Sequence, residues 1–359
     1  MFGQNLPPII TASQHGPRPL PLFLEMLLAE TATEPDRRVA ALAGLRAYQD
    51  APRGRVRKPM PARYRKGKAR LRDYGAKGAT GRAIVFVPSL INPPHILDLL
   101  PDVSLLRWLA AQGHRPFLLD WGTQAPAGRA LDLDAHVTRV LLPLIAKFDS
   151  PPILVGYCLG GTLALAAACL AEVAGLALIA APWHFAGFGE AARADMAGLW
   201  ASAKPACEAM GLVPMEVLQA GFWRLDPART VAKYESFAAL DPDSAAAQRF
   251  IAMEDWANGG APLPYAAGRQ LFEDCIAQDV PGSGGWQIAG TTIAPAALRC
   301  PSVDFVSRND RIVPAATAAD LADRHDLGAG HVGMIVGSGA RAQLWEPLAG
   351  WLNACSPAR

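Results

Sequence analysis

The sequence predicts an α/β protein: a mostly parallel, doubly wound sheet with a helical segment inserted part-way along it. Three observations carry that expectation. Short apolar runs alternate with helix-like segments between residues 83 and 183. The alternation then lapses from His184 to about Gln278 and resumes near residue 301. Finally, "GYCLGG" (156–161) joins an apolar run to a segment rich in alanine and leucine through a turn flanked by glycines.

Taken in order, residues 1–75 form an N-terminal helical appendage with a basic connector. "LPLFLEMLLAE" and "RRVAALAGLRAYQ" carry apolar residues at helical spacing there. The first part of the core, 76–183, reads as strand 83–90, helix 102–113 ended by Gly113, strand 115–121 and helix 133–148. Strand 152–157, helix 162–173 and strand 175–183 complete it. A helical cap with many aromatics spans 184–290, including "GFWRLDP", "YESFAAL" and "LFEDC". The second part of the core, 291–359, holds a strand at 301–307, a helix from about Pro314 to Asp323, the segment "HVGMIVG" and a closing helix at about 340–354. A sheet interrupted in this way is the pattern of an α/β-hydrolase core with an inserted cap.

Composition narrows the function classes. The net charge of +2 points to no particular partner, but it hides an asymmetry. Arg53 to Arg72 contains 10 of the 34 Lys and Arg and no acid, so the other residues hold 24 basic against 32 acidic groups, a net of −8. Such a run is either a solvated connector or a landing site for an anion such as a nucleotide phosphate, an anionic surface or a nucleic acid. The six cysteines form no C-x-x-C pair and no Cys/His cluster at zinc spacing, so neither a disulfide framework nor a metal site is expected. The segment from Gly161 to Trp183 is apolar enough to mimic a membrane span, but Gly175 divides it into a buried helix and a buried strand. The N-terminus lacks a basic region followed by a long apolar one, and a soluble cytoplasmic protein is expected.

The chemistry converges on three residues. "GYCLGG" has the layout of a nucleophile elbow, G-x-S-x-G, with Cys158 in place of serine. In this fold the chain order is nucleophile, acid, histidine. "VDFVSRND" delivers Asp310 past the returning strand, and "HDLGAGHVGM" offers His331 in a glycine-flanked, flexible loop 21 residues later. His325 is the competitor; Gly330 and Gly333 favour His331 by letting its ring approach the nucleophile. The imidazole raises the thiolate fraction or removes the thiol proton, and the carboxylate holds the imidazole in the right tautomer. The Leu159 N–H, at the start of the next helix, is one expected oxyanion donor; Leu90 or Ile91 is the second. "GAGHVG" (328–333) matches G-x-G-x-x-G letter for letter, but the 26 residues after it are too few for a dinucleotide-binding unit. The other five cysteines are expected to be structural.

Together "VPSLINPPHILDLLPDVSLLRWLAAQGHRPFLLDWG", "GYCLGG", "VSRNDRIVP" and "GAGHVGMI" resemble the polyhydroxyalkanoate synthases, over roughly Leu71 to Leu352. The resemblance implies a Cys-Asp-His triad falling on Cys158, Asp310 and His331, (R)-3-hydroxyacyl-CoA substrates, a growing polyester and no cofactor beyond the CoA thioester substrate. It also implies a homodimer attached to its polyester granule. The short N-terminal part is similar to the two-subunit synthases, whose catalytic chain works with a helper subunit. No nucleic-acid partner is expected. Two positions depart from the family: Arg311 follows Asp310 where histidine is usual, and His95 stands where tyrosine is common. Two other readings compete. One is an acyl-CoA thioesterase or esterase that uses the same triad with water. The other is a non-catalytic protein held on a granule or membrane by its basic run.

Overall fold

The structure is a computed structural model that describes residues 16–53, 58–76, 81–123 and 128–355. His15 and residues 54–57 of the basic run lie outside the described residues. Helices α1 (Leu20–Glu30) and α2 (Pro35–Asp50) precede a hairpin of β1 (Ala62–Lys66) and β2 (Ala69–Asp73). The alternation then runs β3 (Ala83–Val87), α3 (Leu105–Ala111), β4 (Arg115–Asp120), β5 (Ile153–Tyr157), α4 (Leu159–Leu170) and β6 (Gly175–Ile179). Between β4 and β5 lies a helical stretch whose middle, His136–Leu141, is a π-helix. Four longer helices follow: α5 (Glu190–Met210), α6 (Met215–Arg224), α7 (Pro227–Ala238) and α8 (Ala245–Ala257). The chain returns through β7 (Ser302–Ser307) and β8 (Arg324–Leu327) and closes with α9 (Glu346–Cys355).

The eight strands make one sheet in the order β1-β2-β4-β3-β5-β6-β7-β8. From β4 to β8 every neighbour is parallel, and only β2 runs against the rest. Strands covered on both faces need apolar residues throughout, and every residue of β3, β5 and β6 is buried. The same demand explains α4, whose residues are buried from Leu159 to Ala168 and show no polar face.

Three expectations change. The basic connector is in part the β1–β2 hairpin, joined to the sheet by pairing of Arg70 with Asp120 through Asp73 with Phe117. The alanines after Pro314 give only a 3-10 turn, Ala315–Thr317, rather than a helix to Asp323. The Thr317 carbonyl accepts the Trp183 and His184 N–H groups at 2.7 and 3.1 Å, and Asp320 takes a φ of 53°, so the chain turns into β8. The division at residues 75, 184 and 290 also changes. The chain separates into two compact units, one of the N-terminal helices with Pro227–Asn258, the other of Arg55–Asp226 with Gly259–Arg359. The expected cap is therefore shared between them.

The smaller unit has its own core. Phe23 and Tyr234 meet edge-on at 5.1 Å, and Phe237 stacks on Phe250 at 4.3 Å. Gly44 lets α2 approach α7 closely, because a Cβ there would strike the Tyr234 carbonyl. Two phenols finish on carboxylates: Tyr48 donates to Asp255 at 2.6 Å, and Tyr234 to buried Glu254 at 3.0 Å. Lys233 pairs with Glu254 at 2.8 Å, so that buried carboxylate has a counter-charge.

One buried acid in the sheet lacks such compensation. Asp304 on β7 is 1% exposed, its Oδ2 accepts only a long bond from the Ala319 N–H (3.3 Å), and its Oδ1 has no partner among the described residues. Burial raises its pKa to about 7; the Ala319 N–H and Arg324 oppose the rise, and Asp320 adds to it. The fold therefore prefers the neutral acid, so stability is fullest below the unfolded carboxyl value and falls as pH rises toward 7. Asp304→Asn is expected to raise the urea midpoint at pH 8, by on the order of 2–4 kcal/mol in stability, with little gain at pH 4. An equal gain at both values would dismiss this account.

Candidate active site

The site begins where β5 must turn sharply into α4. Cys158 sits at that turn with φ 56° and ψ −136°, a conformation that side chains other than glycine seldom adopt. Its N–H donates to the Ile179 carbonyl on β6 at 3.0 Å, fixing the turn to the sheet. Three glycines make the geometry possible. A Cβ on Gly156 would strike Gly161, one on Gly160 would strike the Val87 carbonyl and Pro88, and one on Gly161 would strike Ala181. The helix thus starts at Leu159, three residues before the alanine-rich run that announces it.

Asp310 follows β7, and His331 follows β8, so the neighbouring strands deliver both to the same end of the sheet as Cys158. Asp310 Oδ2 lies 2.6 Å from His331 Nδ1, with both side chains buried. Oδ1 of the same carboxylate accepts from the Ile312 and Val313 N–H groups at 2.8 and 2.9 Å, which fixes its orientation. The Cys158 side chain lies beside the ring and adds to the rise in the His331 pKa. Burial pulls the His331 pKa down, but the Asp310 charge and the neighbouring Cys158 raise it further, to about 10. A nucleophilic thiol, an imidazole beside it and an oriented carboxylate behind the ring make an arrangement suited to acyl transfer.

The histidine loop is held more firmly than its glycines suggest. Ser307 Oγ donates to the Ala329 carbonyl, and Asn309 Nδ2 donates to the Gly328 carbonyl at 2.8 Å. Gln343 Oε1 accepts from the Gly328 and Ala329 N–H groups at 3.2 and 3.1 Å. At Gly333 a Cβ would meet only an ordinary contact with Ala329, so that glycine is not what brings the ring in. Tyr157 contributes more: its ring stacks on His331 at 5.1 Å and 24°, and its hydroxyl donates to the His331 carbonyl at 3.2 Å. Sequence reasoning passed over Tyr157, although its place beside Cys158 in "GYCLGG" was the available signal. The competitor, His325, lies on β8, stacked on Phe305 and 3.6 Å from Asp323, apart from this constellation.

The expected oxyanion donors differ from one another. Leu159 is the first residue of α4, where helix geometry leaves an N–H without an intrahelical acceptor. The Ile91 N–H donates to Ser89 Oγ at 3.1 Å and is already used, which leaves Leu90 as the better of the two. Arg311, next to Asp310, pairs with Asp226 at 2.8 Å. With Arg311 69% exposed, that pair is worth no more than about 1 kcal/mol. Among the described residues, no helix is long and apolar enough to cross a membrane.

The comparisons agree with this architecture. The profile of the alpha/beta hydrolase family matches residues 84–342, and the chain belongs to that family. Within it, the chain is similar to a poly(3-hydroxyalkanoate) polymerase subunit PhaC of Haloferax mediterranei, 30% identical over 312 residues, covering 82% of this chain and 63% of that protein. The PhaC subunit of Allochromatium vinosum is 26% identical over 301 residues, 79% of this chain and 83% of its own length. Among solved structures, MenH from S. aureus superposes with a TM-score of 0.51 at 15% identity, covering 79% of this chain and 98% of that one; at that identity the likeness concerns the fold. The chain thus spans a little under two thirds of the length of its haloarchaeal relative.

Proposed function

We propose that the protein is a polyhydroxyalkanoate synthase, a cysteine acyltransferase that moves (R)-3-hydroxyacyl groups from CoA thioesters onto a growing polyester. The observation that carries the proposal is the set of Cys158 at the elbow and His331 beside it, with Asp310 2.6 Å behind the ring. The printed names of the relatives, poly(3-hydroxyalkanoate) polymerase subunits, favour polymerisation over hydrolysis.

In this reading Cys158 Sγ attacks the thioester carbonyl with its proton already held by His331, whose raised pKa suits that role. The carbonyl oxygen gains charge near the Leu159 N–H and the Leu90 backbone. The carbon–sulfur bond to CoA then breaks, and His331 protonates the departing thiolate. Thioester is exchanged for thioester, so the acyl group stays activated. In the second half, His331 accepts the proton of a hydroxyl on another 3-hydroxyacyl unit, whose oxygen attacks the acyl carbon and releases the Cys158 sulfur. Asp310 keeps the ring in one tautomer throughout. No metal or further cofactor is required by these steps. Because the relatives are named as subunits, a helper subunit fits this proposal, as do a homodimer and attachment to the granule surface. A cytoplasmic location follows from the CoA substrate.

The test is incubation with (R)-3-hydroxybutyryl-CoA, following thiol release and extracting the product into chloroform. Polyester is the expected product. Release of CoA with only free 3-hydroxybutyrate would replace the proposal with a thioesterase, the second reading this triad supports. Absence of release, with and without a polymerase helper subunit and across acyl chain lengths, would leave the non-catalytic reading.

A further inference from the structure

The hairpin β1–β2 holds most of the chain's concentrated positive charge, and the triad makes no use of it. Arg72 is committed, bonded to Asp120 at 2.6 Å. Arg63, Arg65, Lys66, Lys68 and Arg70 pair with no carboxylate among the described residues, and the first four are exposed. Such a cluster is stable on a surface, but mutual repulsion makes it favourable only while water or an anion screens it.

Its position in the sheet gives it a direction. β2 runs antiparallel to β4 with Arg70 opposite Asp120, the last residue of β4. The β1–β2 turn at Gly67 and Lys68 therefore rises at the same end of the sheet as Cys158, which follows the last residue of β5. The turn is fixed there: Gly122, with φ 67°, packs so closely on Lys68 that a Cβ would strike the Lys68 carbonyl. Four strand spacings separate β1 from β5, which places the cationic turn about 19 Å to the side of the nucleophile. A CoA thioester has the matching layout, with its reacting carbonyl at one end, a pantetheine arm of comparable length, and a diphosphate and a 3′-phosphate at the other.

We infer that the β1–β2 turn, through Arg65, Lys66 and Lys68 with Arg63 and Arg70 beside them, is the phosphate-binding subsite for the nucleotide end of the acyl-CoA substrate. This rests on the acyltransferase reading. The turn holds phosphates as exposed point charges, so its contribution is electrostatic and salt-dependent. It acts on capture of the substrate and not on the reacting atoms.

Two thioesters separate this role from a structural one: (R)-3-hydroxybutyryl-CoA and its N-acetylcysteamine analogue, which ends before any phosphate. In the variant Arg65→Glu/Lys66→Glu/Lys68→Glu, the ratio of KM for the CoA ester to KM for the analogue is expected to rise about ten-fold, and less at high salt. A milder variant, Lys66→Gln/Lys68→Gln, should move the same ratio in the same direction, and equal urea midpoints would exclude misfolding. A ratio that stays fixed, whether both constants change together or neither does, overturns the inference. Equilibrium dialysis with CoA itself gives a reading independent of turnover. Loss of CoA binding in the variant supports the subsite even if neither ester is turned over and the acyltransferase proposal has failed. CoA binding equal in variant and parent, or absent from both, overturns it.

Discussion

Cys158→Ala is expected to abolish covalent capture of an acyl group and all thiol release from an acyl-CoA. Asp310→Asn should leave a folded protein that is slower by about 1,000- to 10,000-fold in kcat/KM. The two variants fail for different reasons. The first removes the sulfur that lies beside His331. The second keeps a side chain of the same shape between His331 Nδ1 and the Ile312 and Val313 N–H groups. It takes away the charge that outweighs burial of the imidazole, so the His331 pKa must fall and the limb of the pH–rate profile that reports His331 must move down with it. Single-turnover kinetics with trapping of the acyl enzyme by mass spectrometry would check both. An Asp310→Asn enzyme with the parental rate and pH profile would remove Asp310 from the mechanism.

Gly160→Ala should be among the most damaging single-methyl changes at the described residues. The added carbon would overlap the backbone of Val87 and Pro88, atoms of the strand end and loop that also carry the Leu90 N–H. Backbone in a parallel sheet cannot step aside as a side-chain terminus can. A loss of roughly 3 kcal/mol or more is expected. Activity should fall further than stability alone explains, because any relief moves α4 and with it Cys158. Gly350, where a Cβ would meet nothing within 4 Å, is the control; alanine there should leave the urea midpoint almost unchanged. Similar midpoints for the two variants would show that α4 is not seated as tightly as this geometry requires.

The parts of the site legible in the sequence were those written in local patterns. The elbow occupies six consecutive residues, and Asp310 sits just past a strand whose apolar run is visible by itself, whereas the strand before His331, Arg324–Leu327, carries no such run. What escaped depends on residues far apart in the chain. The hairpin joins the sheet through pairing of β2 with β4, from Arg70 opposite Asp120 to Asp73 opposite Phe117, and its cationic residues obscure the short inward set of Tyr64, Ala69 and Leu71. The regrouping of α1 and α2 with α7 rests on Gly44 against Tyr234, a match between two surfaces that neither segment announces. The end of the expected helix after Pro314 is decided by N–H groups arriving from Trp183 and His184. The loop around His331 reads as loose from its glycines, and the side chains that hold it, Ser307, Asn309 and Gln343, belong to other segments.

An open sheet of eight strands leaves two edges whose backbone groups could pair with any extended chain nearby. At one of them β8 presents Arg324, His325 and Asp326. At the other, β1 presents Arg63, Arg65 and Lys66, and two copies meeting edge to edge would bring like charges within a few ångströms along the whole seam. The β1 edge therefore carries its own deterrent to fibrous stacking. The deterrent is strongest in dilute buffer and fades as salt rises.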